Sequence, residues 1–374
     1  MNIYTHIKSV MNNYKLFNDI EIKIKITPNV SNNPYEFYEI AEITIDNKKS
    51  NNLAFNERIT KIRDSLNKSM QKDKFHKKWK IFYLFKEFLQ LLNEEIELNF
   101  NYYRGQSHSW PSLPGILRGN TNGELVKNFE QEYKRISYNY PKELKYIEYS
   151  SKNRIERSEN LSILQHYGMK TSLLDITKNP FIALLFMVSE TSKNRMEKPC
   201  IEFYEIDEEV HHEKHLFIRV SKDSNNKRIE AQKGAFLNFD HLISLKSDEI
   251  VPINRIRLTL DLDATNVIKN LKNDIDKLKQ LIDELKNKDK EIEVFQGEID
   301  KIENYLSEVE TKVNSVEKED FLSNCYENIR VEILKKLTEY YYYEDQLYPD
   351  LDKQIEFIQS KYNDESKKRF ISNM

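Results

Sequence analysis

Between residues 267 and 316 apolar side chains recur at Val267, Leu271, Ile275, Leu278, Ile282 and Leu285, and again at Ile292, Phe295, Ile299, Ile302, Leu306, Val309, Val313 and Val316. This alternation of threes and fours is heptad spacing, and only helices bring such positions onto one seam. A seam this narrow, flanked by charge on both sides, needs a partner helix more than it needs the surface of its own domain. The polar gap "KNKDKE" at 286–291 breaks the phase between the two runs. Two arms joined near Asn287 to Lys290 fit at least as well as one long helix, and each arm would be ~30 Å long at the helical rise. Gly297 weakens the second arm locally.

The rest of the chain changes period repeatedly. "IEIKIKI" at 20–26 alternates strictly and "EFYEIAEITI" at 37–46 is rich in strand formers, with "SNNP" at 31–34 as the turn between them. A small N-terminal sheet is expected. In 78–97, Phe82, Leu84, Phe85, Phe88, Leu89 and Leu92 form one helical face. "LNFNYYRG" then reads as a strand ending at an Arg-Gly corner. Helices are expected near 124–138 and 154–167, then a corner "HYGMKTSLLD", a buried helix "NPFIALLFMVSE", and strands near 199–206 and 215–220. Helices and strands without regular βαβ alternation predict an α+β fold on a mixed sheet.

The size of the chain, 374 residues, suggests about two structural units. The reading divides it into a β-rich N-terminal region (1–75), a main domain (76–263), a coiled-coil insertion (264–318), and the domain's closing part with a C-terminal tail (319–374). Lys and Arg total 58 against 61 Asp and Glu, a net charge of −3, so no global field draws the protein to nucleic acid or membrane. A local basic cleft stays open, and nucleic acid with it. The two cysteines, Cys200 and Cys325, fit neither a zinc module nor a disulfide framework. The start of the chain shows no secretory pattern, and the greasiest run, "PFIALLFMV" at 180–188, is too short to span a bilayer. A soluble, cytoplasmic protein with no membrane partner is expected.

In a chain with seven glycines, "NYYRGQSHSWPSLPGILRG" at 101–119 holds three of them, two directly after arginine. Glycine permits close backbone approach, and the arginine fork suits phosphate or carboxylate. "YYRGQSHSWPSLPGILR" resembles the opening signature of the FRG domain, a family named for its Phe/Tyr-Arg-Gly motif. "LQHYGMKTSLLDITKNPFIALLF" at 164–186 resembles its second block, "RIEAQKGAF" at 228–236 its third, and "VEILKKLTEYYYYEDQLYPDLD" at 331–352 its last. The resemblance covers roughly 80 to 360, and the heptad runs interrupt it between the third and last blocks. An insertion must return to the domain it left, which favours a hairpin over a rod.

The layout of these blocks is similar to a remote ADP-ribosyltransferase arrangement, which implies NAD as cofactor and a macromolecular acceptor. On that resemblance Arg104 holds a phosphate or orders the pocket, and Gly105 lets the ligand approach. Tyr103, Gln106, Tyr167 and Asp175 line a cleft with His166, a candidate proton donor or base, and a third-block residue, Glu230 or Gln232, stabilises the oxocarbenium-like ribose. An activity as a nucleotide-dependent toxin or effector in bacterial anti-phage defence is the reading so implied. The alternative is a non-catalytic module that senses a nucleotide-like or protein ligand and signals through the hairpin, with a protein partner there.

Each residue has a structural reading as well. Arg104 pairs with Asp175 as a buried lock, His166 is a hydrogen-bonded packing element, and Asp175 caps the helix that follows. "HHEKH" at 211–215 sits in a loop as a solvated cluster, and no metal is expected. The aromatic run "TEYYYYEDQLYPD" at 338–350 is read as helix-end packing in preference to a base-stacking platform, since no Arg or Lys interleaves it.

Overall fold

The computed structural model describes residues 16–28, 38–72, 80–95, 97–150, 152–189, 196–213, 216–219, 233–240, 250–262, parts of 272–307, 318–347 and 351–362. One mixed sheet of eight strands organises them. In chain order the strands are β1 (Phe17–Pro28), β2 (Tyr38–Lys49), β3 (Phe100–Gln106), β4 (Leu173–Thr177), β5 (Cys200–Glu205), β6 (Phe217–Ile218), β7 (Gly234–Asn238) and β8 (Ile253–Leu262). Their spatial order is β2-β1-β8-β5-β3-β4-β7-β6. Every pair is antiparallel except β1 with β8, which runs parallel. The fold is α+β on a mixed sheet, as the sequence predicts.

The alternation of β1 does form a hairpin with β2, but not a separate sheet. Ile20, Ile22, Ile24 and Ile26 are buried in the larger core. Their strand pairs along its length with β8, from Phe17 opposite Ile253 to Ile26 opposite Leu262. A hairpin of two strands cannot bury such a row by itself, and the main sheet supplies the missing surface.

Helices cover both faces. On one side lie α1 (Leu53–Lys72), α2 (Lys80–Glu94), α5 (Pro180–Val188) and α7 (Lys318–Glu339), around a core that includes Phe55, Phe82, Phe85, Phe88, Ile182 and Ile333. The other side carries α3 (Gly123–Asn139) and α4 (Arg154–His166), whose Phe129, Tyr133, Leu161 and Leu164 pack with Leu173, Leu174 and Phe236 of the sheet. The short helix α6 (Glu208–Glu213) replaces the loop expected around His211, which is buried with its Nδ1 3.0 Å from the Asp207 carbonyl oxygen. His215 lies outside the described residues. The final helix is α8 (Leu351–Tyr362). After α7, Tyr340 and Tyr342 stack on Phe181 at centroid distances of 6.0 and 5.5 Å, and the Tyr342 hydroxyl accepts from Asn179 Nδ2 at 3.0 Å. Those two tyrosines pack the helix end; Tyr341 stays exposed.

The described pieces of the two heptad runs are helical. Lys279 Nζ of the first lies 3.0 Å from Glu303 Oε1 of the second, and Ile275 and Ile299 are buried. One continuous helix would hold Lys279 and Glu303 ~36 Å apart, so the contact requires the runs to fold back on one another. The gap at 286–291 and most of the two seams lie outside the described residues.

The helix that follows this excursion is clamped to the sheet by an acid. Glu332 of α7 is buried, and its Oε1 accepts from the Tyr38 hydroxyl at 2.8 Å, which itself accepts from the Ile81 N–H at 3.0 Å. Burial pushes the Glu332 carboxyl up to about 7, against the opposing effects of the Tyr38 hydrogen bond and the Lys80 charge. Its pKa is raised on folding, so the folded state binds the proton more tightly, and stability present at low pH is lost as pH rises from about 4.5 through 7. Glu332→Gln should remove a loss on the order of 3 kcal/mol across that window. Denaturant midpoints of both proteins from pH 4 to pH 8 check this; parallel pH profiles would contradict it.

Candidate functional site

Four strands set the site by register. Glu21 of β1 stands opposite Arg257 of β8, Arg257 opposite Glu202 of β5, and Glu202 opposite Arg104 of β3, giving a row of alternating charge across one face. Side chains two apart share a face, so Tyr102, Arg104 and Gln106 point the same way while Tyr103 and Gly105 point to the other side.

Glu202 is fully buried. It accepts from Arg257 Nε at 2.9 Å, from the Tyr204 hydroxyl at 2.6 Å, and from the Ser112 hydroxyl in a short hydrogen bond. Arg255 Nη1 stands 3.8 Å away, and Arg255 also makes a two-point pair with Asp19 at 2.6 and 2.8 Å. Burial alone would raise the Glu202 pKa. The Arg255 and Arg257 charges, with the Ser112 and Tyr204 hydrogen bonds, overcome that and hold it below the ordinary carboxylate value.

This charge holds a loop. Ser112 lies in the segment that leaves β3, and two residues earlier the Trp110 carbonyl accepts from Arg257 Nη2 at 3.0 Å and from Gln106 Nε2 at 3.3 Å. The chain then makes a 3-10 turn at Gly115–Leu117, tied back by the Ile116 N–H to the Thr171 carbonyl at 3.1 Å. The expected Arg-Gly corner is therefore not at the strand end. Arg104 and Gly105 lie within β3, and the turn comes after Gln106.

Arg104 Nη1 donates to the backbone carbonyl of Asp175 at 2.8 Å. The expected partnership exists, but not as a carboxylate pair. The Asp175 carboxylate is occupied by Gln165, whose Nε2 donates to both of its oxygens at 2.9 and 2.8 Å, while Thr171 donates to Gln165 Oε1. Asp175 does not cap α5 either. Asn179 does so, accepting from the Phe181 and Ile182 N–H groups at 2.9 and 3.3 Å, because a helix with Pro180 in its first turn is capped by the residue just before it.

A second guanidinium joins the first. Arg118, exposed at the end of the loop, donates through Nε to the Leu113 carbonyl at 3.1 Å. Loss of solvation around its charge and the neighbouring Arg104 charge hold its pKa below the ordinary arginine value, against the pull of Asp175. Arg104 Nε is buried with no hydrogen-bond partner among the described residues.

The remaining sequence-derived residues divide. Gln106 and half-buried His166 are on the corner's side of the sheet or at the end of α4, and exposed Tyr167 packs edge-on against His166 at 5.1 Å. Tyr103 belongs to the core instead. It is buried, its hydroxyl donates to the Phe100 carbonyl at 2.7 Å, and burial pushes its pKa up to about 12. Gly105 is approached by the protein itself: an added Cβ would sit 1.7 Å from the Ala183 carbonyl oxygen and 2.7 Å from the Met187 nitrogen of α5. The glycine is explained by this helix crossing. Glu230 and Gln232 lie outside the described residues.

Sequence reasoning missed Glu202, Arg257, Ser112, Gln165 and Arg118. A signal was present in "CIEFYE" and "INRIRLTL", where Glu202 and Arg257 stand between apolar residues inside strands. Charges in such positions face something that pays for their burial.

Gly105→Ala should therefore cost at least ~3 kcal/mol, since backbone atoms on both elements must move. Gly115→Ala, whose nearest contact would be the Lys170 Cβ at 3.3 Å, should cost under ~1 kcal/mol. Denaturant unfolding of both variants checks the contrast, and equal costs would contradict the packing role.

Among curated proteins and among solved structures, no significant match was found. A family model described as FRG domain matches residues 99–196, from the strand that bears Arg104 to the segment before β5. The centre of this chain carries an FRG domain.

Proposed function

We propose that the FRG domain binds a nucleotide-like anion at the corner formed by Arg104 and Arg118. The observation that carries this is that Arg104 and Arg118 give their hydrogen bonds to neutral carbonyls, at Asp175 and Leu113, and that Arg104 Nε is buried with no hydrogen-bond partner among the described residues, while the charge of Arg104 acts on Arg118. The Asp175 carboxylate accepts its hydrogen bonds from the Gln165 amide. A phosphate or pyrophosphate would satisfy both guanidiniums with charge-assisted, two-point hydrogen bonds.

The donor set suits the pyrophosphate of NAD. ADP-ribosyl transfer to a macromolecular acceptor, as an effector or toxin in anti-phage defence, is the reaction that this binding would serve. NAD would supply the ribosyl group and nicotinamide as leaving group, and Glu230 or Gln232 remains the candidate for the ribose. The second reading, a sensing module, is favoured by one observation. Tyr103 and Gly105 serve the core, which leaves a cationic corner whose described residues bind more readily than they react.

Arg104→Lys should weaken ADP-ribose binding by about tenfold or more with little change in melting temperature, because the ammonium keeps the charge and loses the fork. Calorimetric titration with ADP-ribose and NAD measures this. Wild-type protein that binds neither overturns the anion corner. Transfer of labelled ADP-ribose from NAD to a cellular acceptor separates the readings: transfer establishes the enzyme, while tight binding without it leaves the sensor.

A further inference from the structure

We infer that Trp110 is the stacking platform for the base of the bound nucleotide, and that buried Glu202, paired with half-buried Arg257, holds it there. This inference rests on the anion corner proposed above and names the rest of its ligand. Trp110 is 43% exposed, an unusual cost for the largest aromatic side chain in a loop that is otherwise tied down. Its ring is not loose. One face is covered by His108, with centroids 4.3 Å apart and planes 5° from parallel. Its backbone carbonyl takes two hydrogen bonds, from Arg257 and Gln106, and Ser112 anchors the loop to Glu202 two residues later.

The result is a fixed indole with a solvent-accessible surface. Rigid aromatic surfaces of this kind gain contact area at low entropic cost, and stacking is tolerant of base identity. Its position fits the corner. Gln106, which touches Trp110, follows Arg104 by two residues on the same strand face, a separation of ~7 Å. A ligand holding its phosphate on Arg104 would extend its base along the strand toward Trp110. Tyr167 is more exposed, at 70%, but meets its neighbour His166 edge-on, and it stands at the end of α4 beside the Gln165–Asp175 side of the corner.

The test compares two ligands that share a phosphate and differ in a base, AMP and ribose 5-phosphate, titrated into the full chain. Wild type should prefer AMP by about tenfold, the effect of one base stack. The preference should collapse in Trp110→Ala and largely survive in Trp110→Phe, and AMP alone should quench tryptophan emission in wild type. Ser112→Ala should reduce the preference through the loop while the Arg257–Glu202 pair remains. A preference that persists in Trp110→Ala overturns the platform, as does equal wild-type binding of both ligands, and either result leaves the anion corner standing. Failure of both ligands to bind overturns the corner and the platform together.

Discussion

A fully buried carboxylate is the constraint on which the site depends. Glu202 has no exposure, and a lone charge there would be costly. It stays ionised because two arginines and two hydroxyls meet it, and these partners come from three places: Arg255 and Arg257 from β8, Tyr204 from its own strand, Ser112 from the loop after β3. Removing one partner leaves the others unbalanced, so the positions are coupled. Arg255 and Arg257 extend the network to Asp19 and Glu21 of β1. The N-terminal strand is thus joined to the site by charge as well as by its backbone ladder.

This arrangement changes what the Arg-Gly motif means. Gly105 admits the backbone of α5 on one face of β3, and Arg104 reaches across to β4 on the other. The motif fastens a helix, two strands and a loop at one point. Whatever ligand it takes is met by groups already fixed, which lowers the ordering cost of binding. The family match ends at residue 196, yet Glu202 and Arg257, which secure the loop inside that match, lie beyond it.

The elements that were legible in the sequence have strong local periods. The apolar face of 78–97 is buried as α2, with Leu89 half-buried beside it, and the alternation at 20–26 is β1. Helices α3 and α4 and strand β5 stand where their patterns put them. Tertiary choices were not legible. Nothing in the alternation of β1 says that its next neighbour is β8, more than 200 residues later. Arg104 and Asp175 were rightly brought together, but which oxygen accepts depends on Gln165, a residue whose role only the folded α4 end reveals. Asp175 resembled a cap because a helix follows, and the nearer Asn179 took that role. Of the third block, Glu230 and Gln232 fall outside the described residues, so the fold does not bear on them.

The central claim is that a buried charge on β5 and β8 holds the loop of the FRG domain. Hydrogen exchange of the amides in residues 107–118, compared between wild type and Ser112→Ala, tests it most directly. The variant removes the loop's bond to Glu202 and leaves the Arg257–Glu202 pair in place. Exchange in this loop should quicken by about tenfold, the weight of one hydrogen bond to a charged group, while amides of β1 and α2 keep their protection. Unchanged exchange at 107–118 would show that the loop is held by other means, and would contradict the account.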